Sequence, residues 1–281
     1  MIARLVGSEM CIRDSARTGA RNTGISLALL LLSRRISPVK ISDFSTLTFD
    51  CYGTLIDWES GIVAAAQPFI DRARLRKSAD QVLEAFARSE STQQRETPTM
   101  LYPELLTRTL HRMAAEWGST ATNGEAEAFG NSVQHWPAFD DAAEALLQLK
   151  KYYRLVILSN VDRASFSHSQ AKLGDVFDAV YTAEDVGSYK PNPANFAYML
   201  KKENEAGIPS TKILHTAQSL FHDHVQAKAH GLTSAWIDRR LDSDGWGATM
   251  PPEAPVSPDF HYPSLKAMAD ARIEEEGETN P

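Results

Sequence analysis

Five short, β-branched or apolar runs recur along the chain, and most of them stop at a polar residue. They are Thr46–Asp50, Leu155–Ser159, Ala179–Tyr181, Ile213–Thr216 and Thr233–Ile237. Runs this short with this composition read as buried strands. Between the later runs the apolar residues switch to a helical period, at Asp140–Tyr152, Pro193–Glu205 and Asp223–His230, the last stopped by Gly231. Strands alternating with helices demand crossover connections, and those place helices on both faces of a parallel sheet. The fold class is therefore α/β, with a Rossmann-like, doubly wound parallel-sheet core.

One stretch breaks the alternation. From Asp50 to Asp140 there is no strand signal, and the segments Trp58–Ala73, Ser78–Arg95, Pro103–Trp117 and Glu125–Val133 all read as helices. Ser78 followed by Gln81 is a capping-box pattern. Leu106, Leu110, Met113 and Trp117 share one helical face, as core contacts of a small bundle would. This is a helical cap inserted after the first strand. The core then comprises residues 41–57 and 138–271, and the cap residues 58–137. A Pro- and Gly-rich loop follows at 242–258, then a last helix at Ser264–Ala271, and residues 272–281 read as a frayed acidic tail.

Charge separates the first forty residues from the rest. Residues 1–40 hold seven basic and two acidic residues, a balance of +5. Residues 41–281 hold 22 basic and 34 acidic, a balance of −12. The first segment reads as a non-structural or artefactual leader, since VGSEMCIRDS resembles translated adaptor sequence. A mitochondrial leader is the alternative, and otherwise the location expected is cytoplasmic. The acidic remainder has no electrostatic footprint for nucleic acid or an anionic membrane. No apolar run nears the roughly 20 residues of a membrane span. Two cysteines, Cys11 and Cys51, cannot form a disulfide framework or a four-cysteine zinc site.

The chemistry gathers at the carboxyl ends of the strands, where sheets of this class bind ligands. Asp50-Cys51-Tyr52-Gly53-Thr54 follows the first strand, and Ser159-Asn160 closes the second. Lys190 follows the third, and Gln218-Ser219-Leu220-Phe221-His222-Asp223 follows the fourth. An ionised carboxylate there is a nucleophile, and a lysine beside it keeps it ionised. Asp50, Lys190, Asp223 and Thr54 are the catalytic candidates. Cys51, Tyr52, Ser159 and Asn160 are the substrate-binding candidates, and Gln218, Ser219 and His222 extend the set. Strand alternation turns the Cys51 side chain away from Asp50, which favours a buried structural thiol. His222 is balanced between a general base and a capping residue. His215 reads as a satisfied core residue, and Trp58, Trp117 and Trp136 as packing or as cleft walls. No metal site is read, because His222 and His224 diverge on a helix start.

The runs FDCYGTLIDWESGI (Phe49–Ile62), LSN (Leu158–Asn160) and YKPNP (Tyr189–Pro193) resemble the haloacid dehalogenase-like superfamily, over residues 44 to 271. Magnesium-dependent phosphatases of that superfamily carry an aspartate where this chain has Tyr52, and another where it has Gln218. Tyr52 resembles the type II, 2-haloacid dehalogenase branch. That resemblance implies a metal-independent hydrolase needing no cofactor. Asp50 would displace halide from a small anionic 2-haloalkanoate, and water would release a 2-hydroxy acid from the aspartyl ester. It also implies roles for Lys190 in holding Asp50 ionised and for Thr54, Ser159 and Asn160 in positioning. A phosphatase and a non-catalytic member are the alternatives. A homodimer is compatible with the resemblance, with no interface legible.

Three features depart from that branch. Its cap arginine falls, without gaps, on Gln81; Arg72, Arg74, Arg88 and Arg95 lie nearby. An aromatic hydroxyl beyond the lysine becomes Phe196. A Ser-x-Asn pair before the last acid becomes Gln218 and Leu220.

Overall fold

The structure, a computed structural model, describes residues 39–279. The leader at 1–40 lies outside the described residues apart from Val39 and Lys40. The described part is one compact unit. Six strands run β1 (Thr46–Phe49), β2 (Arg154–Ser159), β3 (Ala179–Thr182), β4 (Ile213–Ala217), β5 (Thr233–Ile237) and β6 (Phe260–Tyr262). They form one sheet in the order β3-β2-β1-β4-β5-β6, and every pair is parallel. The chain leaves β1 toward β2 on one side and later returns to its other side with β4. That reversal at β1 is the switch point where such sheets open a crevice.

The helices are α1 (Trp58–Arg72), α2 (Ala79–Glu96), α3 (Tyr102–Glu116), α4 (Asn123–Gly130), α5 (Ala142–Leu149), α6 (Arg163–Leu173), α7 (Ala183–Val186), α8 (Ala194–Glu205), α9 (Val225–Ala229) and α10 (Leu265–Thr279). All of α1 to α4 lies between β1 and β2. The excursion is tied where it leaves and returns: Asp57 N–H donates to Pro137 O at 2.8 Å, and Phe139 N–H to Leu55 O at 3.0 Å. Ser78 caps α2 reciprocally with Gln81, Oγ accepting from Gln81 N–H and Gln81 Oε1 from Ser78 N–H. Gln81 is thus a capping residue in the exposed first turn of α2, spent on the backbone rather than on a ligand.

Strand alternation divides β1 cleanly. Leu47, Phe49 and Cys51 enter the large apolar core that also takes Phe69, Phe86, Leu105 and Trp136. Thr48 and Asp50 face the other way. A smaller cluster on the sheet joins Leu158, Phe196, Met199, Ile213, Ala227 and Leu232. Phe196, which stands where the resemblance implies an aromatic hydroxyl, is a core residue packed edge-on against His215 at 4.8 Å.

Several elements differ from the sequence expectation. β6 is only three residues long, too short for its pattern to register. Helices α6 and α7 carry weak apolar periodicity, α6 being rich in serine. The segment Glu125–Val133 splits into α4 and a 3-10 turn at Ser132–His135. The acidic tail does not fray at 272. α10 runs through Thr279, and the Glu275 carboxylate accepts hydrogen bonds from the N–H groups of Ile41 and Ser42. Glu275, in the segment expected to fray, thus caps the 3-10 turn at Ile41–Asp43.

Candidate active site

The turn after β1 shapes the first part of the site. Cys51 O accepts from the N–H groups of Thr54, Leu55 and Ile56, which folds the chain back over the end of the strand. Gly53 has φ +89°, and a Cβ there would meet Trp58 Nε1 at 3.0 Å and Gln218 Oε1 at 3.2 Å. Only glycine suits that turn. It leaves Asp50 at the strand end with Oδ2 accepting from Thr54 Oγ1 at 2.9 Å. Thr54 Oγ1 in turn accepts from Gln218 N–H at 2.9 Å, joining the ends of β1 and β4.

Lys190 reaches in from the loop between α7 and α8. Its Nζ donates to Asp50 Oδ1 at 2.9 Å, Asp223 Oδ1 at 2.7 Å and Leu158 O at 2.8 Å. An ammonium with three donors is fully used by three acceptors. Asn160 clamps the lysine backbone from both sides, its Nδ2 donating to Lys190 O and its Oδ1 accepting from Lys190 N–H.

A single turn of π-helix, Leu220–His224, brings Asp223 under the lysine. Ser219 starts it by accepting the His222 N–H. Behind Asp223 the contacts continue: His215 Nε2 meets Asp223 Oδ1 at 3.0 Å, and His215 Nδ1 meets Thr48 Oγ1 at 2.9 Å. Thr48 and His215 are register partners on β1 and β4. A chain of polar contacts therefore runs Thr48–His215–Asp223–Lys190–Asp50, wholly within the protein.

The electrostatics follow from burial and pairing. Burial works to lower the Lys190 pKa, but the Asp223 and Asp50 charges outweigh it and hold the ammonium protonated. Burial works to raise Asp223 as well, and there Lys190 and His215 win, keeping it ionised well below the usual carboxylate range. Asp50 is raised above its ordinary value by burial, with the Asp223 charge adding and Lys190 and Thr54 opposing. Burial pushes His222 down to about 4, so its imidazole is neutral near pH 7. His222 Nδ1 contacts Ser219 Oγ at 3.1 Å, and its Nε2 makes no hydrogen bond within the protein.

These groups enclose a cavity of about 20 Å³, room for about one water. Asp50, Tyr52, Asn160, Lys190, Ser219 and His222 line it from the sheet side. From the helical excursion come Trp58, Glu90 and Tyr102, and Thr249 closes it from the loop after β5. Tyr52 points its hydroxyl away, to Ser169 Oγ at 3.0 Å.

Five candidate residues are not among the cavity walls: Thr54 and Asp223 bond to groups that are, and Cys51, Ser159 and Gln218 lie apart from it. Cys51 is fully buried on the opposite face of the strand, and burial raises its thiol well above the ordinary value. Gln218 is separated from the cavity by the Gly53 turn and lines an adjoining one of about 380 Å³ with Trp236, Arg240 and Trp246. Ser159 is buried beside Leu158, its Oγ without a partner within the protein, and is not among the cavity walls. Of the tryptophans, Trp136 packs edge-on against Tyr52 at 5.5 Å, and Trp117 stacks on Phe69. His224 turns to Ser234 Oγ and Ala217 O, away from His222.

Among the described residues, no arginine lines the cavity. Arg72 pairs with Glu125 and Arg88 with Glu116, both on outer surfaces. Arg74 is exposed. Arg95 lies in a separate cavity beyond Tyr189. Sequence reasoning missed Glu90 and Tyr102. Glu90 is spaced four residues from Phe86 and eight from Val82, so it falls on the buried stripe of α2. An acid on an apolar stripe was the available signal.

A divalent cation does not suit these groups. The two strand-end carboxylates are both engaged by one ammonium, the residue two beyond Asp50 is a tyrosine bonded elsewhere, and the position after β4 offers an amide. Magnesium needs carboxylate and water oxygens in octahedral array. Among the described residues, no group of three His, Cys, Asp or Glu side chains could hold a metal ion. No described helix is long and apolar enough to cross a membrane.

A family model for haloacid dehalogenase-like hydrolases matches residues 44–215. No curated protein sequence matches the chain. Among solved structures, the chain is similar to the L-2-haloacid dehalogenase PA0810, at 22% identity and a TM-score of 0.64, over 82% of this chain and 99% of that one. It is similar to L-2-haloacid dehalogenase from Xanthobacter autotrophicus with chloropropionic acid covalently bound, at 20% identity and a TM-score of 0.65, over 82% and 98%. A Bacillus subtilis protein assigned to the HAD hydrolases, YfnB, bound to magnesium, is similar at 17% identity and a TM-score of 0.64, over 81% and 97%. At these identities the likeness is one of fold.

Proposed function

The chain belongs to the haloacid dehalogenase-like hydrolase family, and on that premise we propose that it is a metal-independent hydrolase that converts a 2-haloalkanoate to a 2-hydroxy acid through an ester of Asp50. The observation that carries this reading is the shared ammonium. Lys190 Nζ lies between Asp50 and Asp223 at 2.9 and 2.7 Å. A cation in that place favours the ionised form of Asp50 and opposes the burial that raises it, with no metal required.

An Asp50 oxygen attacks the carbon bearing the halogen. The new C–O bond forms as the carbon–halogen bond breaks, and the halide leaves with the bonding pair. Water then attacks the Asp50 carboxyl carbon and restores the carboxylate, releasing the 2-hydroxy acid. His222 is the neutral base facing the cavity, and its free Nε2 is placed to take the proton from that water. Thr54 fixes the Asp50 rotamer, and Asn160 fixes Lys190. Asp223 and His215 position the ammonium.

The cavity holds one water or one halide, so a haloalkanoate enters as the helical wall of Trp58, Glu90 and Tyr102 parts from the sheet edge. We take residues 58–137 as the cap and residues 41–57 and 138–271 as the core. The test is incubation of folded protein with chloro-, bromo- and fluoroacetate and with 2-chloropropionate, with and without EDTA, measuring free halide. Halide release unaffected by EDTA is expected. Release from none of the four would end this reading. Magnesium-dependent turnover of a phosphate ester would replace it with a phosphatase.

A further inference from the structure

Glu90 is a buried carboxyl that the mechanism above does not use. It projects from α2, is 2% exposed, and faces the same cavity as Asp50, Lys190 and His222. Its Oε1 accepts from the Tyr102 hydroxyl at 2.8 Å. The other groups facing it are Asp50 and Tyr52 after β1, Tyr102 at the start of α3, Tyr189 and Lys190 before α8, and His222 in the π-turn. His222 is neutral, and burial holds Tyr52, Tyr102 and Tyr189 protonated.

Among the described residues, the only cation in this wall is Lys190, and Asp50, Asp223 and Leu158 O already take its three protons. With Glu90 ionised, three carboxylates would share one ammonium. An incoming carboxylate would then meet twice the net negative charge that Asp50, Asp223 and Lys190 leave by themselves, and no free donor, in a site too dry to screen it. With Glu90 neutral, Tyr102 occupies Oε1 and the acid proton sits on Oε2, a donor suited to a carboxylate. Acid-to-carboxylate hydrogen bonds are among the short, strong ones.

We propose that the neutral carboxyl of Glu90, braced by Tyr102, is the specificity-determining donor that binds the substrate carboxylate, so that the anion and one proton enter the site together. This rests on the haloalkanoate reading for the substrate class. Glu90 does the work that a guanidinium would do in a site with a free arginine, and it makes anion binding proton-linked. Burial raises the Glu90 pKa to about 7, with the Tyr102 hydrogen bond opposing and Asp50 adding, which places the linkage within a readily measured range.

The experiment is calorimetric binding of propionate, which has no halogen to lose, in buffers of different ionisation enthalpy from pH 6 to 9. Wild type is expected to take up close to one proton per propionate at pH 8. Its affinity is expected to fall about tenfold per pH unit above pH 7. Glu90→Gln keeps the shape and an N–H donor; its proton uptake should vanish and its affinity should stay flat. Tyr102→Phe removes a bond that favours the ionised form, so the break should move to higher pH with the slope kept. Equal proton uptake in wild type and Glu90→Gln would overturn the proposal. So would failure of folded wild type to bind propionate at pH 6. The two readings fail separately: halide release with an unchanged Glu90→Gln profile removes the role of Glu90 alone. Proton-linked propionate binding without halide release removes the hydrolase reading alone.

Discussion

Lys190 Nζ sits closer to Asp223 than to Asp50, 2.7 Å against 2.9 Å, and both carboxylates are almost wholly buried. The ammonium is held by Asp223 and shared with Asp50, the nucleophile of the proposed reaction. Asp223 is the one held far below its ordinary pKa, while Asp50 is raised. That asymmetry suits a nucleophile that loses its charge when it becomes an ester: Lys190 keeps a full counterion throughout.

Removing the ammonium should therefore damage both stability and turnover. Lys190→Met strands two buried carboxylates, and breaking a buried pair in this way costs about 3–5 kcal/mol. Chemical denaturation should show that loss, and halide release should fall by at least about 100-fold. A variant with wild-type turnover would contradict the arrangement.

His215 acts at one remove. His215→Phe keeps the packing against Phe196 but leaves Thr48 Oγ1 and Asp223 Oδ1 each short of a contact. A buried polar group left unpaired costs about 1–3 kcal/mol. The expected result is a lower denaturation midpoint and a reduced kcat with little change in KM, since no part of His215 lines the cavity.

His222 concerns the second step only. His222→Ala should leave halide displacement in place and slow hydrolysis of the ester. Intact-mass measurement after mixing with 2-chloropropionate should then show the protein carrying the substrate fragment. In wild type the rate of ester hydrolysis should rise through pH about 4, as the imidazole becomes neutral, and level off above it.

Glu90 also predicts how stability varies with pH. Its folded pKa, about 7, lies above the unfolded carboxyl value. The folded state therefore binds more protons between the two values, and stability falls as pH rises from about 4.5 to 7. The loss is a few kcal/mol by linkage. Glu90→Gln should flatten this part of the stability profile in denaturant titrations.

The elements that were legible in the sequence are those whose pattern spans several turns or a full buried strand. β1, β2, β4 and β5 are apolar runs ending at polar residues, and α1 to α3 have long apolar stripes with capping signals such as Ser78 and Gln81. β6 has three residues, and α6 places Ser165 and Ser169 on its buried face, so neither produces an apolar period. The strand-end candidates Asp50, Lys190 and Asp223 are the ones that the structure brings together. Cys51 and Gln218 adjoin such ends, but a strand face and the Gly53 turn direct them elsewhere. Glu90 and Tyr102 come from helices distant in sequence and are joined to the site only by packing. His215 looked like an ordinary satisfied core histidine; it is satisfied, and its partners are Thr48 and Asp223.

The central claim is that Asp50 forms and loses an ester. It is tested most directly by one turnover of excess protein with 2-chloropropionate in heavy-oxygen water, followed by mass spectrometry of the Asp50 peptide and of the product. The account predicts heavy oxygen in the Asp50 carboxylate and unlabelled 2-hydroxypropionate. Label in the product hydroxyl with none at Asp50 would contradict it, because water would then have attacked the substrate carbon itself.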